Sequence, residues 1–174
     1  LSKGERKQLL NWGVKGADFT TEAASVIDLV EEQVNRSPDQ VALVFDHSSW
    51  TYRELNRTIN QLAQYISAQG EIKAGDAVAV LMDRSDWYAI AMMSILKLGA
   101  IYVPIDRSLP PARQEYVIKD CGAKLVLSDF DVPSHLDLSG ITCSQLPTTS
   151  ELTQYPDVNV GLPMVDDAVA FIIY

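Results

Sequence analysis

The residue types that most often carry catalysis occur in this chain, but not at the spacing that catalysis requires. Its two histidines, His47 in a predicted turn and His135 in a predicted loop, have neither helical nor ligand-like spacing to Cys, Asp or Glu. Asp131, Ser134 and His135 are close in sequence, but a nucleophilic triad depends on convergence in the tertiary structure. We therefore interpret both histidines as solvated loop residues without a metal or acid–base role.

The cysteines and the paired carboxylates also favour structural roles. Cys121 and Cys143 are too far apart for a CxxC redox or zinc pair, and we predict a buried structural thiol at Cys121, beside a helix end. The pairs Glu31-Glu32 and Asp166-Asp167 consist of sequence neighbours, whose side chains point in different directions on a helix or a strand. We predict solvated positions for both pairs rather than a shared-proton dyad.

Motifs that bind phosphate or activate a nucleophile are missing from the sequence. It contains no GxxxxGK[ST] loop, no GxGxxG loop and no GxSxG elbow. From these motifs we therefore assign no catalytic residue, no cofactor-binding residue and no metal ligand in this chain.

Composition places the chain among globular proteins that bind neither nucleic acid nor membranes. The 174 residues are 47% hydrophobic, and 14 basic against 23 acidic residues give a net charge of −9. A negative balance argues against binding to nucleic acid or anionic lipid. There is no apolar run of about 18 residues and no secretory signal, so the sequence predicts a cytoplasmic protein. The chain lacks an initiator Met, and we expect it to be cut from a longer one.

Helix-like and strand-like segments alternate, which predicts an α/β fold with a mostly parallel sheet flanked by helices. Residues 129–165, rich in Asp, Ser, Thr and Pro, are predicted to be mostly loop. Helices are predicted at 2–12, 26–35, 51–70, 85–98 and 111–120, and extended segments at 41–45, 50–51, 77–82, 101–103, 125–127, 141–143 and 168–174.

The helix at 51–70 has the clearest start. Thr51 and Glu54 form a T-x-x-E capping box, in which each side chain accepts a hydrogen bond from the backbone N–H of the other residue. Gly70 is predicted as the residue that ends the helix in a left-handed conformation. One apolar stripe follows the capping box at helical spacing: Leu55, Ile59, Leu62, Ala63 and Ile66.

The preceding helix is predicted to bury one row of valines. Ser25 is a suitable N-cap, and the apolar residues recur at i, i+4 and i+8. The row consists of Val26, Val30 and Val34.

The strand pattern predicts where a ligand would bind. The nearly all-apolar run 77–82 is typical of a strand covered on both faces, and 77–103 predicts one strand–helix–strand crossover. The run 168–174 predicts another buried strand. In open α/β sheets ligands bind at the carboxyl ends of the strands. We expect the chain to break off where its site should begin.

Two segments resemble core motifs of the adenylation domains of nonribosomal peptide synthetases. Residues 50–55 (WTYREL) are similar to the first motif, (L)-(T/S)-Y-x-E-L, and residues 96–106 (LKLGAIYVPID) to the second, L-K-A-G-x-A-Y-(V/L)-P-(I/L)-D. Structural roles are predicted for the matching positions, because a capping box, a glycine turn and a buried strand explain them. These positions are Thr51, Tyr52, Glu54, Leu55, Gly99, Ala100, Tyr102, Pro104 and Asp106.

The departures from the family pattern concern local packing. Trp50 replaces the usual leucine, and Leu98 and Ile101 replace alanines. Arg107 stands where the family often has proline. The flanking segment 78–85 and residues further on follow the family pattern, namely Pro110, Arg113 and Tyr116.

Both ends of the chain extend the resemblance. Residues 1–10 resemble the linker between a condensation and an adenylation domain, so we expect 1–21 to be an interdomain linker with a short helix. Residues 22–174 then form the N-terminal part of the adenylation domain. Residues 167–174 (DAVAFIIY) resemble the strand that leads into the third core motif, T-S-G-(S/T)-T-G, which is the family's phosphate loop. We expect the chain to stop just before that loop.

The resemblance implies a member of the adenylate-forming superfamily that includes acyl- and aryl-CoA synthetases and luciferase. A complete adenylation domain joins an amino-acid carboxylate to the α-phosphate of ATP, releases pyrophosphate and passes the aminoacyl group to a carrier thiol. The implied cofactors are ATP and Mg²⁺. The implied partners are the rest of the domain, an upstream condensation domain and a downstream peptidyl carrier domain. The chain alone, an incomplete N-terminal subdomain, is expected to be inactive.

Two alternatives stay open at this point. The chain could be a fragment of an acyl-CoA or aryl-acid ligase, which predicts no condensation domain upstream of Leu1. It could also be a non-catalytic split-domain or interaction module, which predicts a separately encoded complement.

Overall fold

A four-stranded parallel sheet forms the centre of the part of the chain that the computed structural model describes, residues 2, 4, 25–132, 134, 136–159 and 168–174. The predicted helix at 2–12, apart from residues 2 and 4, lies outside the described residues, as do the linker at 13–21 and Asp166-Asp167. In chain order the elements are α1 (Val26–Arg36), β1 (Val41–Phe45), β2 (Ser48–Thr51), α2 (Tyr52–Gly70), β3 (Ala77–Leu81), α3 (Asp86–Lys97), β4 (Ile101–Pro104), α4 (Pro111–Asp120), β5 (Leu125–Ser128), β6 (Thr142–Gln145) and α5 (Thr149–Leu152).

The strand β3 is covered on both faces, as its apolar run predicts. The sheet order is β4-β3-β5-β6, and every neighbouring pair is parallel. Val78 and Val80 belong to a core shared with α2 and α3, whereas Ala79 and Leu81 face a second core that includes Val117 of α4. The prediction of a parallel sheet flanked by helices is confirmed, since each face of β3 has its own helical cover.

The helix α2 packs on the sheet along the predicted stripe, whose five residues are all buried. Ile90 and Ile95 of α3 belong to the same core. Fully burying a leucine or isoleucine side chain contributes about 1.5–3 kcal/mol. The contact between α2, α3 and the sheet is therefore a main source of stability on this face.

The start of α2 follows the prediction, whereas its end does not. The Glu54 N–H donates to Thr51 Oγ1 (3.2 Å) and the Thr51 N–H to Glu54 Oε2 (2.9 Å). The Thr51 N–H and the Thr51 hydroxyl, which donates to the same oxygen (2.8 Å), hold the pKa of Glu54 below its ordinary value. The prediction that Gly70 ends the helix in a left-handed conformation was wrong, because Glu71 takes that role with φ of 48°. Gly70 instead permits close packing, since a Cβ there would lie 3.1 Å from Ile72 Cδ1.

The helix α1 departs from its prediction at Val26, whereas Val30 and Val34 of the same row are half-buried. The Ser25 N-cap is confirmed, with the Asp28 N–H donating to Ser25 Oγ at 3.2 Å. The predicted burial of Val26 was wrong, because Val26 is 52% exposed and Ile27 is buried. The covered face contains Ile27 with the half-buried Val30, at a spacing of i and i+3, which fits a helix as well as the predicted row of valines.

The region 129–165 contains two short elements. β6 begins one residue later than the predicted strand at 141–143 and ends two residues later. α5 begins with a second capping box, in which Thr148 and Glu151 exchange hydrogen bonds. Residues 148–151 have the same T-x-x-E pattern as residues 51–54, so this capping box could have been predicted from the sequence.

The run 168–174 lies beside β4, but the prediction of a buried strand was wrong. Its pairing is limited to one parallel bridge between Tyr102 and Phe171. The Tyr102 N–H donates to the Ala170 carbonyl (2.9 Å), and the Ile172 N–H donates to the Tyr102 carbonyl (3.1 Å). These two hydrogen bonds attach the run to the edge of the sheet.

Proline ends the ladder after this bridge. Alternate residues of β4 direct their N–H groups to opposite sides, so the position after Tyr102 that faces the run is Pro104, which has no N–H to donate. Ile172 packs against the second core, but other apolar side chains of the run are left uncovered, with Phe171 59% and Ile173 72% exposed.

Exposed apolar groups at a sheet edge favour association between chains. We expect the 174-residue chain by itself to form oligomers, and Phe171→Ser with Ile173→Ser to shift it to a monomer, as measured by light scattering after gel filtration. Val26→Ser, which alters a similarly exposed residue on α1, is the control and should leave association unchanged. A monomeric unaltered chain would contradict this expectation.

Candidate functional site

A cavity of about 370 Å³ lies at the carboxyl edge of the sheet, where the segments after β3 and β4 approach each other. Ligands of open parallel sheets bind outside this edge. The lining combines charged and aromatic side chains, including Asp83, Arg84, Tyr88, Asp106, Arg107 and Tyr174.

Arg107 links the segments that follow three neighbouring strands. Its Nη1 pairs with Asp83 after β3 and lies 4.0 Å from Asp129 Oδ1 after β5. The guanidinium carbon lies 3.9 Å from the centroid of the Phe130 ring, in cation–π geometry. The Asp83 N–H also donates to Asp129 Oδ2 at 3.2 Å. Arg107, which stands where the family often has proline, therefore has a structural explanation, because its side chain connects the segments that follow β3 and β5. We call these contacts the Arg107 clamp.

Asp106, the last residue of the second motif, shapes the turn after β4. Its Oδ1 accepts a hydrogen bond from the Ser108 N–H at 2.8 Å. Hydrogen bonds from Ser108 hold the pKa of Asp106 below its ordinary value, with a smaller effect of the Arg84 charge. Asp106 is therefore ionised at neutral pH and is engaged by its own turn.

Three tyrosines lie near the cavity in different environments. Tyr88 and Tyr102 make an edge-to-face pair with ring centroids 6.1 Å apart. Among the described residues the buried Tyr102 hydroxyl has no hydrogen-bond partner, and burial raises its pKa well above the ordinary value. The Tyr174 hydroxyl donates to Asp120 Oδ2 at 2.6 Å, which raises the pKa of Tyr174 to about 12. Both hydroxyls are therefore protonated at neutral pH.

The first motif joins the β1–β2 hairpin to the start of α3 and does not line the cavity. The Trp50 indole N–H donates to Asp86 Oδ2 at 2.9 Å, and the Ser48 hydroxyl donates to the same oxygen at 2.9 Å. The rings of Trp50 and Trp87 are in edge contact at 5.9 Å. The larger side chain at position 50 is thus explained by a hydrogen bond that leucine cannot make. Leu55 of this motif is buried, and Tyr52 is half-buried at the start of α2.

The second motif makes a sharp passage from α3 to β4. Gly99 has φ of 64°, and a Cβ there would lie 3.1 Å from Ala74 Cβ. Ala100 and Tyr102 are buried directly after it, and Pro104 ends β4. These residues shape the backbone that leads to the cavity, and of this group only Pro104 also lines it.

The prediction that Glu31 is solvated was wrong. Its Oε1 lies 2.7 Å from Lys97 Nζ, and the lysine side chain is only 1% exposed. Glu31 therefore forms an ion pair between α1 and α3 with the buried ammonium of Lys97, while its own side chain is 25% exposed. Sequence analysis missed this pair, although a lysine flanked by Leu96 and Leu98 at the end of an apolar helix was a signal that something had to neutralise it.

The other candidate groups have no common site. His47 is an exposed turn residue near Asp46, as predicted, whereas His135 lies outside the described residues, so its solvated-loop position stays a prediction. Cys121 is half-buried rather than buried, its thiol donates to the Ile118 carbonyl at 3.3 Å, and burial raises its pKa. Cys143 is exposed on β6.

Two kinds of feature are absent from the described part of the chain. Its side chains include no cluster of three or more His, Cys, Asp or Glu that could hold a metal ion. None of its helices has the length and apolar character needed to cross a membrane.

Comparison with known proteins gives a consistent result. The AMP-binding enzyme family matches residues 30–174. Bacitracin synthase 3 from Bacillus licheniformis is 35% identical over 100% of this chain, which spans 3% of that synthase. The AMPPNP-bound form of the nonribosomal peptide synthetase FmoA3 superposes with a TM-score of 0.76 at 27% identity, over 88% of this chain and 16% of that one. The N-terminal subdomain of Klebsiella oxytoca NpsA gives 0.69 at 28% identity, over 84% and 37%.

The Arg107 clamp predicts a measurable stability effect. In the chain carrying the two serine substitutions at 171 and 173, Arg107→Met should lower the free energy of urea unfolding by about 1 kcal/mol, because an ion pair and a cation–π contact are lost. Arg113→Met, which removes one guanidinium over Tyr116 (5.1 Å), is the control. Equal effects of the two substitutions would show that Arg107 makes no special contribution.

The turn at Gly99 has a matched control within the chain. Gly99 and Gly122 have φ of 64° and 63°, but an added Cβ meets Ala74 at the first and nothing within 4 Å at the second. Both alanine variants should lose roughly 1–2 kcal/mol because of the left-handed backbone, and Gly99→Ala should lose about 1 kcal/mol more through crowding. Urea unfolding measures both losses, and a larger loss at Gly122 would argue against the crowding.

Proposed function

The chain belongs to the AMP-binding enzyme family, and from this premise we propose that it is the first part of an amino-acid-activating adenylation domain in a nonribosomal peptide synthetase. The observation that carries the proposal is the match along the entire chain to a peptide synthetase at 35% identity. The chain corresponds to a small fraction of that relative, so the activity is proposed for the intact protein that contains it.

The proposed reaction has two steps. The carboxylate of an amino acid attacks the α-phosphate of ATP, which forms an aminoacyl-adenylate and releases pyrophosphate. The thiol of a carrier-bound phosphopantetheine then attacks the aminoacyl carbonyl, and AMP leaves. Positioning and charge stabilisation at phosphorus would supply most of the rate enhancement.

We assign no residue of this chain to ATP, Mg²⁺ or the amino acid. The described side chains contain no carboxylate cluster that fits a metal ion, so no step is derived through Mg²⁺. The contribution proposed for this chain is mechanical: β4 holds the run 168–174 at the carboxyl edge, and the run resembles the strand before the family's phosphate loop. The alternatives of an acyl-CoA or aryl-acid ligase and of a non-catalytic module are not favoured by relatives that are peptide synthetases.

The domain boundaries and partners follow as part of the proposal. Residues 1–21 form a linker from an upstream condensation domain, 22–174 begin the adenylation domain, and a peptidyl carrier domain accepts the product. Both described cysteines are free thiols, which supports a reducing, cytoplasmic setting.

The test is amino-acid-dependent exchange of labelled pyrophosphate into ATP. The intact protein, assayed against the proteinogenic amino acids and a set of aryl acids, should catalyse exchange with one or a few amino acids, whereas the 174-residue chain alone should catalyse none. Exchange that depends on aryl or fatty acids alone would contradict amino-acid activation. Exchange by the isolated chain would contradict the scaffold role.

A further inference from the structure

The backbone attachment of the run 168–174 does not by itself fix which of its residues lies beside Tyr102. One parallel bridge joins Tyr102 to Phe171 through two hydrogen bonds, and Pro104 has no N–H with which to extend it. A run shifted along β4 could form the same two bonds with other residues. In a strand, a shift by one residue also directs every side chain to the opposite face.

The apolar side chains of the run distinguish poorly between these registers. Residues 168–174 (AVAFIIY) are apolar apart from the Tyr174 hydroxyl. Ile172 packs against the second core, but Ile173 directly after it is the same residue type and is 72% exposed. A shift that puts Ile173 in the place of Ile172 would keep an isoleucine on this core. Apolar packing therefore leaves the register open.

The Tyr174 hydroxyl makes a contact that does depend on register. It donates to Asp120 Oδ2 at 2.6 Å. Alternate residues of a strand share one face, so Tyr174 lies on the side of Ile172 and of the second core, to which α4 also belongs. A shift by one residue would turn the tyrosine away from α4, and a shift by two would move it by roughly 6–7 Å along the strand. Either shift breaks the hydrogen bond.

Asp120 is a fixed acceptor because it is the last residue of a helix that is anchored in the second core. Val117 and Ile118 of α4 are buried there, with 1% and 0% exposure. A carboxylate at the end of a helix interacts unfavourably with the partial negative charge of the helix C-terminus. Helix stability therefore does not explain an aspartate at this position, whereas the hydrogen bond from Tyr174 does.

We propose that Asp120 is a positioning residue, which sets the register of the run 168–174 along β4 by accepting the hydrogen bond from Tyr174. In this register the tyrosine lines the cavity at the carboxyl edge. The inference rests on the proposed function in one respect, that the segment after Tyr174 binds the phosphates of ATP. Loss of the hydrogen bond then weakens ATP binding and leaves the binding of the amino acid unchanged.

Tyr174→Phe and Asp120→Ala in the intact protein each remove the hydrogen bond, whereas Asp120→Asn keeps an acceptor oxygen. The first two should raise the KM for ATP on the order of fivefold, because a hydrogen bond to a charged group is lost. The KM for the amino acid should stay within about twofold. Asp120→Asn should behave as the unaltered protein does. Tyr116→Phe, which removes the hydroxyl of an exposed tyrosine on α4, is the control and should change neither constant.

The variant that combines Tyr174→Phe with Asp120→Ala tests whether the two residues act through one bond. Once either partner is removed, the other has no bond left to lose, so the double variant should raise the KM for ATP no more than either single change. Effects that multiply in the double variant would contradict the proposal, because the two residues would then act independently. Equal increases of the KM for ATP and for the amino acid would also contradict it.

Amide hydrogen exchange reports the register without any need for activity. The N–H groups of Tyr102 and Ile172 form the bridge, and both should exchange on the order of tenfold faster in Tyr174→Phe and Asp120→Ala, while the amides of β5 keep their protection. Unchanged exchange at these two amides, with or without a lower melting temperature, would overturn the proposal. If the unaltered protein shows no amino-acid-dependent pyrophosphate exchange, the proposed function fails, and the two amides still decide whether Asp120 sets the register.

Discussion

The passage from α3 to β4 has to be made within the three residues 98–100, and the left-handed backbone at Gly99 makes it. The Gly99 N–H bonds to the Leu96 carbonyl (2.9 Å) and the Ala100 N–H to the Ile95 carbonyl (3.2 Å), which ends the helix in a left-handed turn. The Gly75 N–H donates to the Gly99 carbonyl (2.9 Å), so the turn also docks on the segment before β3. Because the backbone at position 99 is left-handed and a Cβ there would lie 3.1 Å from Ala74 Cβ, any other residue at this turn strains the passage from α3 to β4.

The sequence on either side of this turn carries one polar cluster each, around Lys97 before it and around Arg107 after it. Before it, the Lys97 ammonium contacts oxygens of Glu31 on α1, Asn56 on α2 and Asn159 after α5. After it, the chain continues through β4 to Arg107, which contacts the segments that follow β3 and β5. Buried polar groups are stable only when they are paired. The two clusters therefore specify how the helices and the edge segments are arranged, whereas the apolar cores on both faces of β3 supply most of the burial.

Features that depend on local sequence could be predicted, and features that depend on tertiary neighbours could not. The capping box at Thr51 and the all-apolar strand β3 follow from local spacing, and both are present. The ion pair between Glu31 and Lys97 joins residues from different helices, so the apolar neighbours of Lys97 indicate that it needs a partner but do not identify Glu31 as that partner.

The wrong predictions for α1 and for the run 168–174 also arose because tertiary neighbours, and not local sequence, decided the outcome. A row of valines and the row containing Ile27 fit α1 equally well, and packing against α2 decided between them. The run 168–174 has the composition of a buried strand, but it meets a neighbour whose next facing residue is Pro104, so its hydrogen bonding stops after one bridge.

We propose that this chain is a scaffold that places a nucleotide-binding segment without itself contacting the nucleotide. An experimental structure of the intact protein with a non-hydrolysable ATP analogue tests this most directly. We predict that the residues directly after Tyr174 contact the phosphates and that no side chain of residues 25–159 comes within about 4 Å of them. Phosphates bound by Arg84 or Arg107 in the cavity at the carboxyl edge would contradict the account, because the chain would then be part of the reacting site.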